Sequence, residues 1–170
     1  MYGRQKNNLA KTAKPYLEGG ISGLAMVTEG GRTAGTSGVQ NMVDSTRQGP
    51  GAAIIAGVSG SSYRFDTGSH VDVDGMSVIS GPVWRFDNRA GVTRLGLFVE
   101  AGWGNYDTYN TFAKGDGDLE HYGGGIMLRH DWTNGLYAET SFRGGMISTE
   151  FSSGDMGDGA SFDEDTSYLG

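Results

Sequence analysis

Two kinds of residue in this sequence carry the functional groups of a metal site or a catalytic centre. Aspartates gather in Asp72-Val73-Asp74-Gly75, in Asp116-Gly117-Asp118 and between Asp155 and Asp165, and clustered carboxylates are what a hard cation such as calcium takes. None of the three has the spaced ligands and closing Glu of an EF-hand loop, and none repeats as a nonapeptide, so they read as solvated loop aspartates and no metal site is assigned. His70, His121 and His130, with the many serines, hold the parts of a nucleophile and its base, but they fall on different strands and two faces with no spacing that joins them. Cysteine is absent, which removes disulfides, thiolate metal sites and cysteine nucleophiles. The expectation is a protein with no catalytic residues and no cofactor.

The elements that position these residues are strands. Between Val92 and Tyr109, residues Leu95, Leu97, Val99, Ala101 and Trp103 fall on one side of a period of two, and Arg94, Gly96, Phe98, Glu100, Gly102 and Gly104 on the other. One face is apolar and ends in a Trp; the other carries an Arg, a Glu and three glycines. Polar inside and apolar outside is the pattern of a transmembrane β-barrel. The same period marks strands at Ala52 to Tyr63, His70 to Phe86, Leu119 to His130 and Leu136 to Ser148, and a sixth begins at Ser167. Pro82 cannot donate to a ladder and predicts an irregular rung or a bulge. Short turns after the second and fourth strands alternate with longer polar breaks at Arg64 to Ser69, Asp107 to Asp118 and Thr149 to Asp165. An antiparallel sandwich, the soluble alternative, accounts for neither that alternation nor the charges in mid-strand.

Composition agrees with an unusual interior. Only 36% of the 170 residues are apolar, and the 31 glycines follow no Gly-X-Y period, so collagen is excluded and close backbone packing or many turns remain. A net charge of -7 argues against nucleic acid. No apolar run approaches the ~18 residues of a transmembrane helix. The start of the chain lacks a signal peptide, so an exported protein with this sequence is expected to be a fragment or an excised domain.

Ahead of the strands, Met1 to Pro15 is polar and basic and reads as a tether or a loosely helical lead-in. From Tyr16 to Gly31, residues Leu17, Ile21, Leu24, Ala25 and Thr28 make a narrow stripe on a short helix, weakened by Gly19, Gly20 and Gly23 at about 1 kcal/mol each. A helix held in a snug enclosure and a poorly ordered linker both fit these residues. Gly31 to Gly49 reads as a connector with a turn of helix around Val39 to Val43.

Five short stretches, in order, go further than the pattern: Thr67 to Gly75, Phe98-Val99-Glu100-Ala101-Gly102, Tyr106 to Asn110, Tyr122-Gly123-Gly124-Gly125, and Gly135-Leu136-Tyr137-Ala138-Glu139. Together they resemble the C-terminal β-domain of autotransporters, the type V secretion proteins of Gram-negative outer membranes, over most of residues 16 to 170. The resemblance implies a barrel of about twelve strands around an α-helix, set in outer-membrane lipid, through which an N-terminal passenger reaches the cell surface. It implies the barrel-assembly machinery and periplasmic chaperones as further partners. The expected fold is therefore all-β, an antiparallel up-and-down transmembrane barrel with a lumenal N-terminal helix, incomplete at five to six strands. Residues 1–50 would be tether, lumenal helix and connector, and 51–170 the N-terminal part of a truncated barrel domain. The family's closing strand and any passenger are missing. Some autotransporters cut their own linker between two asparagines in the pore; Asn7-Asn8 is such a pair, but it precedes the helix and lacks that subgroup's flanking residues, so it reads as polar tether. A pore or adhesin barrel that binds ligands with its long loops and exports nothing is the alternative function, and a soluble Asp-rich surface domain is a third.

The expected lumen-facing polar residues are Arg94, Glu100, Arg129, Glu139 and Arg143, with Leu17, Ile21 and Leu24 on the lumenal helix. A two-residue Asn134-Gly135 turn would put inward residues opposite outward ones. A three-residue loop, Thr133-Asn134-Gly135, keeps them matched, pairs Trp132 with Leu136, and sets Arg129 opposite Glu139 and Gly125 opposite Arg143.

Overall fold

The computed structural model describes residues 3–66, 70–109, 114–153 and 160–170, with residues 3–16 and 160 as backbone only. Helix α1 (Gly3–Thr33) passes through a π-helical segment (Ala34–Gly38) into α2 (Val39–Ser45), and six strands follow: β1 (Gly51–Asp66), β2 (His70–Asn88), β3 (Gly91–Tyr109), β4 (Gly115–Trp132), β5 (Tyr137–Ser153) and β6 (Ala160–Leu169). They form one antiparallel up-and-down sheet in chain order, so the fold is that of an incomplete barrel with a single N-terminal helix. α1 touches each strand from β1 to β5. Five strands about 4.8 Å apart are wider than one helix of about 10 Å can span flat; the sheet therefore curls around it.

The expected register is the observed one. Trp132 N–H donates to the Leu136 carbonyl (2.9 Å) and Gly135 N–H to the Trp132 carbonyl (3.1 Å), with Gly135 at φ +89°, a backbone that favours glycine. Arg129 then faces Glu139, and Gly125 faces Arg143. Between β2 and β3 the rungs at Gly81 and Pro82 are missing, while the pairing before and after keeps one register; Pro82 interrupts the ladder without a bulge.

Two expectations need correction. The polar breaks are largely strand: β1 continues to Asp66, β3 to Tyr109 and β5 to Ser153, and β6 starts at Ala160. Their alternation had been hidden by a change of sign. In these rows the apolar residues Val71, Val73, Tyr106, Leu119 and Phe151 are buried on the helix side, and Asp72, Asp74, Asp107, Asp116 and Asp118 occupy the other. The asymmetry between rims therefore lies mainly in strand length, since residues 67–69, 110–114 and 154–159 separate strands at one rim against 89–90 and 133–136 at the other. Secondly, the connector is helical: the lead-in is helix from Gly3 through Pro15, and the helix continues to Ser45.

On the helix, Leu17, Ile21 and Leu24 face away from the sheet: Leu24 is 67% exposed, and the buried face is Glu18, Ser22, Met26, Glu29 and Thr33. The helix turns its glycines to the wall. A Cβ on Gly19 would lie 3.0 Å from the Tyr106 hydroxyl, one on Gly23 3.5 Å from Thr149, and one on Gly30 2.8 Å from Arg143.

Glycines on the sheet do related work. A Cβ on Gly102 would sit 2.1 Å from the His121 ring and 2.8 Å from the Met76 carbonyl, and Gly96, Gly115 and Gly117 likewise clear space for Met127, Phe151 and Tyr106. Large side chains thus lie sideways across neighbouring strands. Gly102→Ala is expected to lower stability by about 1–3 kcal/mol through overpacking, whereas Gly20→Ala, which meets nothing within 4 Å, should raise it by about 0.5–1 kcal/mol; urea unfolding of both variants checks the contrast.

Candidate functional site

The inner face is layered. Beside the rim of short turns, Ala34, Val39, Met42, Ile55, Ile79, Val83, Phe98 and Met127 form one apolar cluster; toward the other rim Met26, Val71, Val73, Tyr106, Leu119, Ile147 and Phe151 form a second. Between them lies a polar layer centred on Glu100 of β3 and Arg143 of β5. The two strands are not neighbours. β4 runs between them, and its inward residues there are Gly123 and Gly125, paired with Glu100 and Phe98 on one side and Gly145 and Arg143 on the other. With no side chain in the way, Arg143 Nη1 donates to both Glu100 oxygens, at 2.9 and 2.8 Å.

Tyr168 joins from β6. Its hydroxyl would lie 2.6 Å from a Cβ on either Gly123 or Gly145, and through that gap it donates to Glu100 Oε1 at 2.6 Å. Arg143 Nη2 also donates to the Val27 carbonyl of α1, and Gly30 and Gly31 let the helix settle onto the guanidinium. Glu100 is 3% exposed. On the β1 side Tyr63 donates to Glu29 Oε2 at 2.6 Å, and the Thr33 and Ser59 hydroxyls are 2.5 Å apart. His121 and Ser77 are buried in the same layer, and neither His121 ring nitrogen nor Ser77 Oγ has a hydrogen-bond partner among the described residues.

A second constellation closes the short-turn rim. Arg85, Arg94, Arg129 and Glu139 share one row across β2 to β5, and three adjacent cations repel unless anions answer them. Asp131 accepts from Arg94 Nη1 and from Arg129 Nε and Nη2 at 3.0 and 2.8 Å, and Glu139 accepts from Arg129 Nη1 at 2.9 Å. Arg85 Nη1 donates to the Thr46 and Arg47 carbonyls at 2.8 and 3.0 Å, and Arg94 Nε to Thr46 Oγ1 at 3.0 Å. The two carbonyls lie at the end of α2, the negative end of its dipole. The arginine row therefore anchors the C-terminus of the helix. The Arg129–Glu139 pair is partly wet and contributes only about 0.2–1 kcal/mol.

On the outer face Leu97, Val99 and Trp103 are exposed, with Ile54, Val58, Tyr122, Ile126 and Phe142. The contrast within one strand is sharp: Val99 is 66% exposed beside the buried Glu100. Beyond Trp103 the surface turns acidic. There Arg64 forks onto Asp72, both bonds at 2.6 Å, and that hydrogen bonding holds the Asp72 carboxyl below its ordinary pKa.

All five expected polar residues lie on the helix-facing side, but as two groups, Glu100 with Arg143 and Arg94 with Arg129 and Glu139. The three histidines stay apart: His70 stacks on Tyr109, His130 meets Trp132 edge-on, and only His121 faces the helix. Among the described residues no group of three or more His, Asp or Glu could hold a metal ion; residues 154–159 of the third aspartate stretch lie outside them. Asn7-Asn8 sits on α1 at roughly 33 Å, along the helix, from Gly30 and the polar layer. Sequence reasoning missed Tyr168, Asp131 and the pairing of Glu100 with Arg143; the inward glycines at 123, 125 and 145 were the signal that something long crosses there. No helix among the described residues is long and apolar enough to cross a membrane, which says nothing about crossing by strands. Set against family models, curated proteins and solved structures, the chain matches none.

Glu100→Ala is expected to cost about 3–5 kcal/mol because it strands a buried guanidinium, while Glu100→Met with Arg143→Met should restore most of that loss. Urea midpoints of the single and double variants measure it; a double variant as unstable as the single one would remove the pair from its central position.

Proposed function

We propose that the chain is the helix-bearing part of an autotransporter translocator domain: its strands lie in an outer membrane, and its helix is the trailing end of a segment exported to the cell surface. The observation that carries this reading is the direction of the helix. Gly19 lies beside Tyr106 and Thr46 beside Arg94, so α1 runs inside the curled sheet from the rim of longer strands to the rim of short turns, and the chain then enters β1. Any polypeptide preceding α1 emerges at the far rim.

The outer face supports a lipid contact. From the row of Phe86 and Thr93 to that of Met76 and Trp103 is roughly 33 Å along a strand, or about 25 Å at a tilt near 40°, the height of an outer-membrane barrel's apolar band. Aromatic residues stand at both limits, Phe86 and Trp132 at one and Trp103 and Tyr122 at the other, as barrel girdles do. The function is export and anchoring, without substrate turnover. Outer-membrane lipid and the exported segment are the partners the geometry favours, with assembly factors following from the family resemblance.

An export signal and an epitope fused ahead of Met1, with further epitopes in the turns at Ala90 and Asn134, test the topology in intact Gram-negative cells. The N-terminal epitope should be cut by external protease and the turn epitopes protected. Surface-exposed turns with a protected N-terminus would contradict the proposal.

A further inference from the structure

We infer that the inner row holding Ser77 and His121 is a binding site for extended polypeptide backbone, an inference that rests on the export reading above. Ser59, Ser77, Gly102, His121 and Ile147 pair across five strands in a single row. The His121 ring lies over Gly102, where a Cβ would be 2.1 Å away, so imidazole and the Ser77 hydroxyl share one bare patch of wall. Ser77 is 0% and His121 1% exposed, yet the Ser77 hydroxyl and both ring nitrogens lack hydrogen-bond partners among the described residues, as does Glu29 Oε1. Buried polar groups are normally paired, and each such exception calls for an explanation.

The helix explains why these groups stand idle. Its backbone bonds to itself, and above His121 it presents Gly30, which offers no side chain. An extended chain is different, because every residue then brings a bare N–H and a bare C=O. A neutral imidazole and a hydroxyl each offer one donor and at least one acceptor, enough for the amides of a strand passing through, whatever its sequence. Apolar clusters lie on either side of the layer, so this is where bare amides in transit would find partners.

The helix is also weakest here. Gly30, Gly31 and the π-helical stretch Ala34–Gly38 fall in one run, and Thr28, Thr33 and Thr36 bond back to carbonyls four residues earlier, which loosens a helix. Residues 27–38 are thus the part whose own helical bonding is most interrupted, and once Arg143, Tyr63 and Ser59 release Val27, Glu29 and Thr33 it hands its backbone to the row.

Two sources of backbone can be told apart. For the chain's own helix, Gly31→Pro opens the segment, and nitrogen-labelled protein in micelles is read for coupling across an N–H···N hydrogen bond from a backbone amide of residues 27–38 to the His121 ring. The coupling should be absent in the unmutated chain and appear in the variant. If the His121 ring nitrogens meet water only once the segment has opened, the site does not exist. Should Gly31→Pro lose its strand signal, the unmutated chain is read at a urea concentration where the α1 amides have exchanged and the strand amides have not. For a passing chain, His121→Leu with Ser77→Ala should slow export of an N-terminal reporter roughly tenfold at equal membrane insertion; an unchanged rate overturns the site's role in export. Absence of any export by the unmutated chain would sink the translocator reading, and the coupling would then decide the binding site alone.

Discussion

An ion pair taken out of water sits at the centre of this structure: Glu100 with Arg143, beneath a helix and between two strands that are not neighbours. Burying such a pair is costly unless each charge is hydrogen-bonded on several sides, and the surroundings supply those bonds. The glycines of β4 and β5 open the path, Tyr168 completes the carboxylate, and Val27 with the Gly30-Gly31 step completes the guanidinium. Strand order, glycine placement and helix position are each required by this one contact. The polar layer is also where the interior departs from an ordinary core, which the low apolar share of the chain foreshadowed.

The sheet is two structures along its length. Near the short turns the outer face is apolar and the helix side is mixed, charges standing beside the Ile79 and Phe98 cluster; beyond Trp103 the helix side is apolar and aspartates face out. One strand carries both arrangements without a change of register, because the residues alternate throughout and only their polarity is exchanged. That exchange fits a strand that leaves one solvent for another. The helix is held at its C-terminal end by the arginine row on Thr46 and Arg47 and near its middle by Arg143 on Val27 and Tyr63 on Glu29.

Much of the fold was legible because strands announce themselves at period two. Leu95 to Trp103 identified both faces of β3, and the parity argument on Thr133-Asn134-Gly135 placed Arg129 opposite Glu139. The strand extensions were not legible, since Asp107, Asp116 and Asp118 resemble loop residues until their partners show them alternating with Tyr106 and Leu119. Which face of the helix meets the wall was not legible: Leu17 and Leu24 stay exposed and Glu18, Ser22 and Met26 turn to the sheet, where Gly19 and Gly23 allow close approach. The Glu100–Arg143 pair was hidden because it skips a strand, and only the empty space over Gly123 and Gly125 permits that.

The central claim is that the apolar face meets hydrocarbon while the helix side meets water or protein. The chain has no cysteine, so single spin labels at Val99→Cys and Ser141→Cys, on opposite faces of the sheet, report it directly after insertion into lipid vesicles. Relaxation by oxygen should dominate at position 99 and relaxation by a water-soluble nickel chelate at position 141. A label at position 99 that the chelate reaches as freely as the one at 141 would contradict the account.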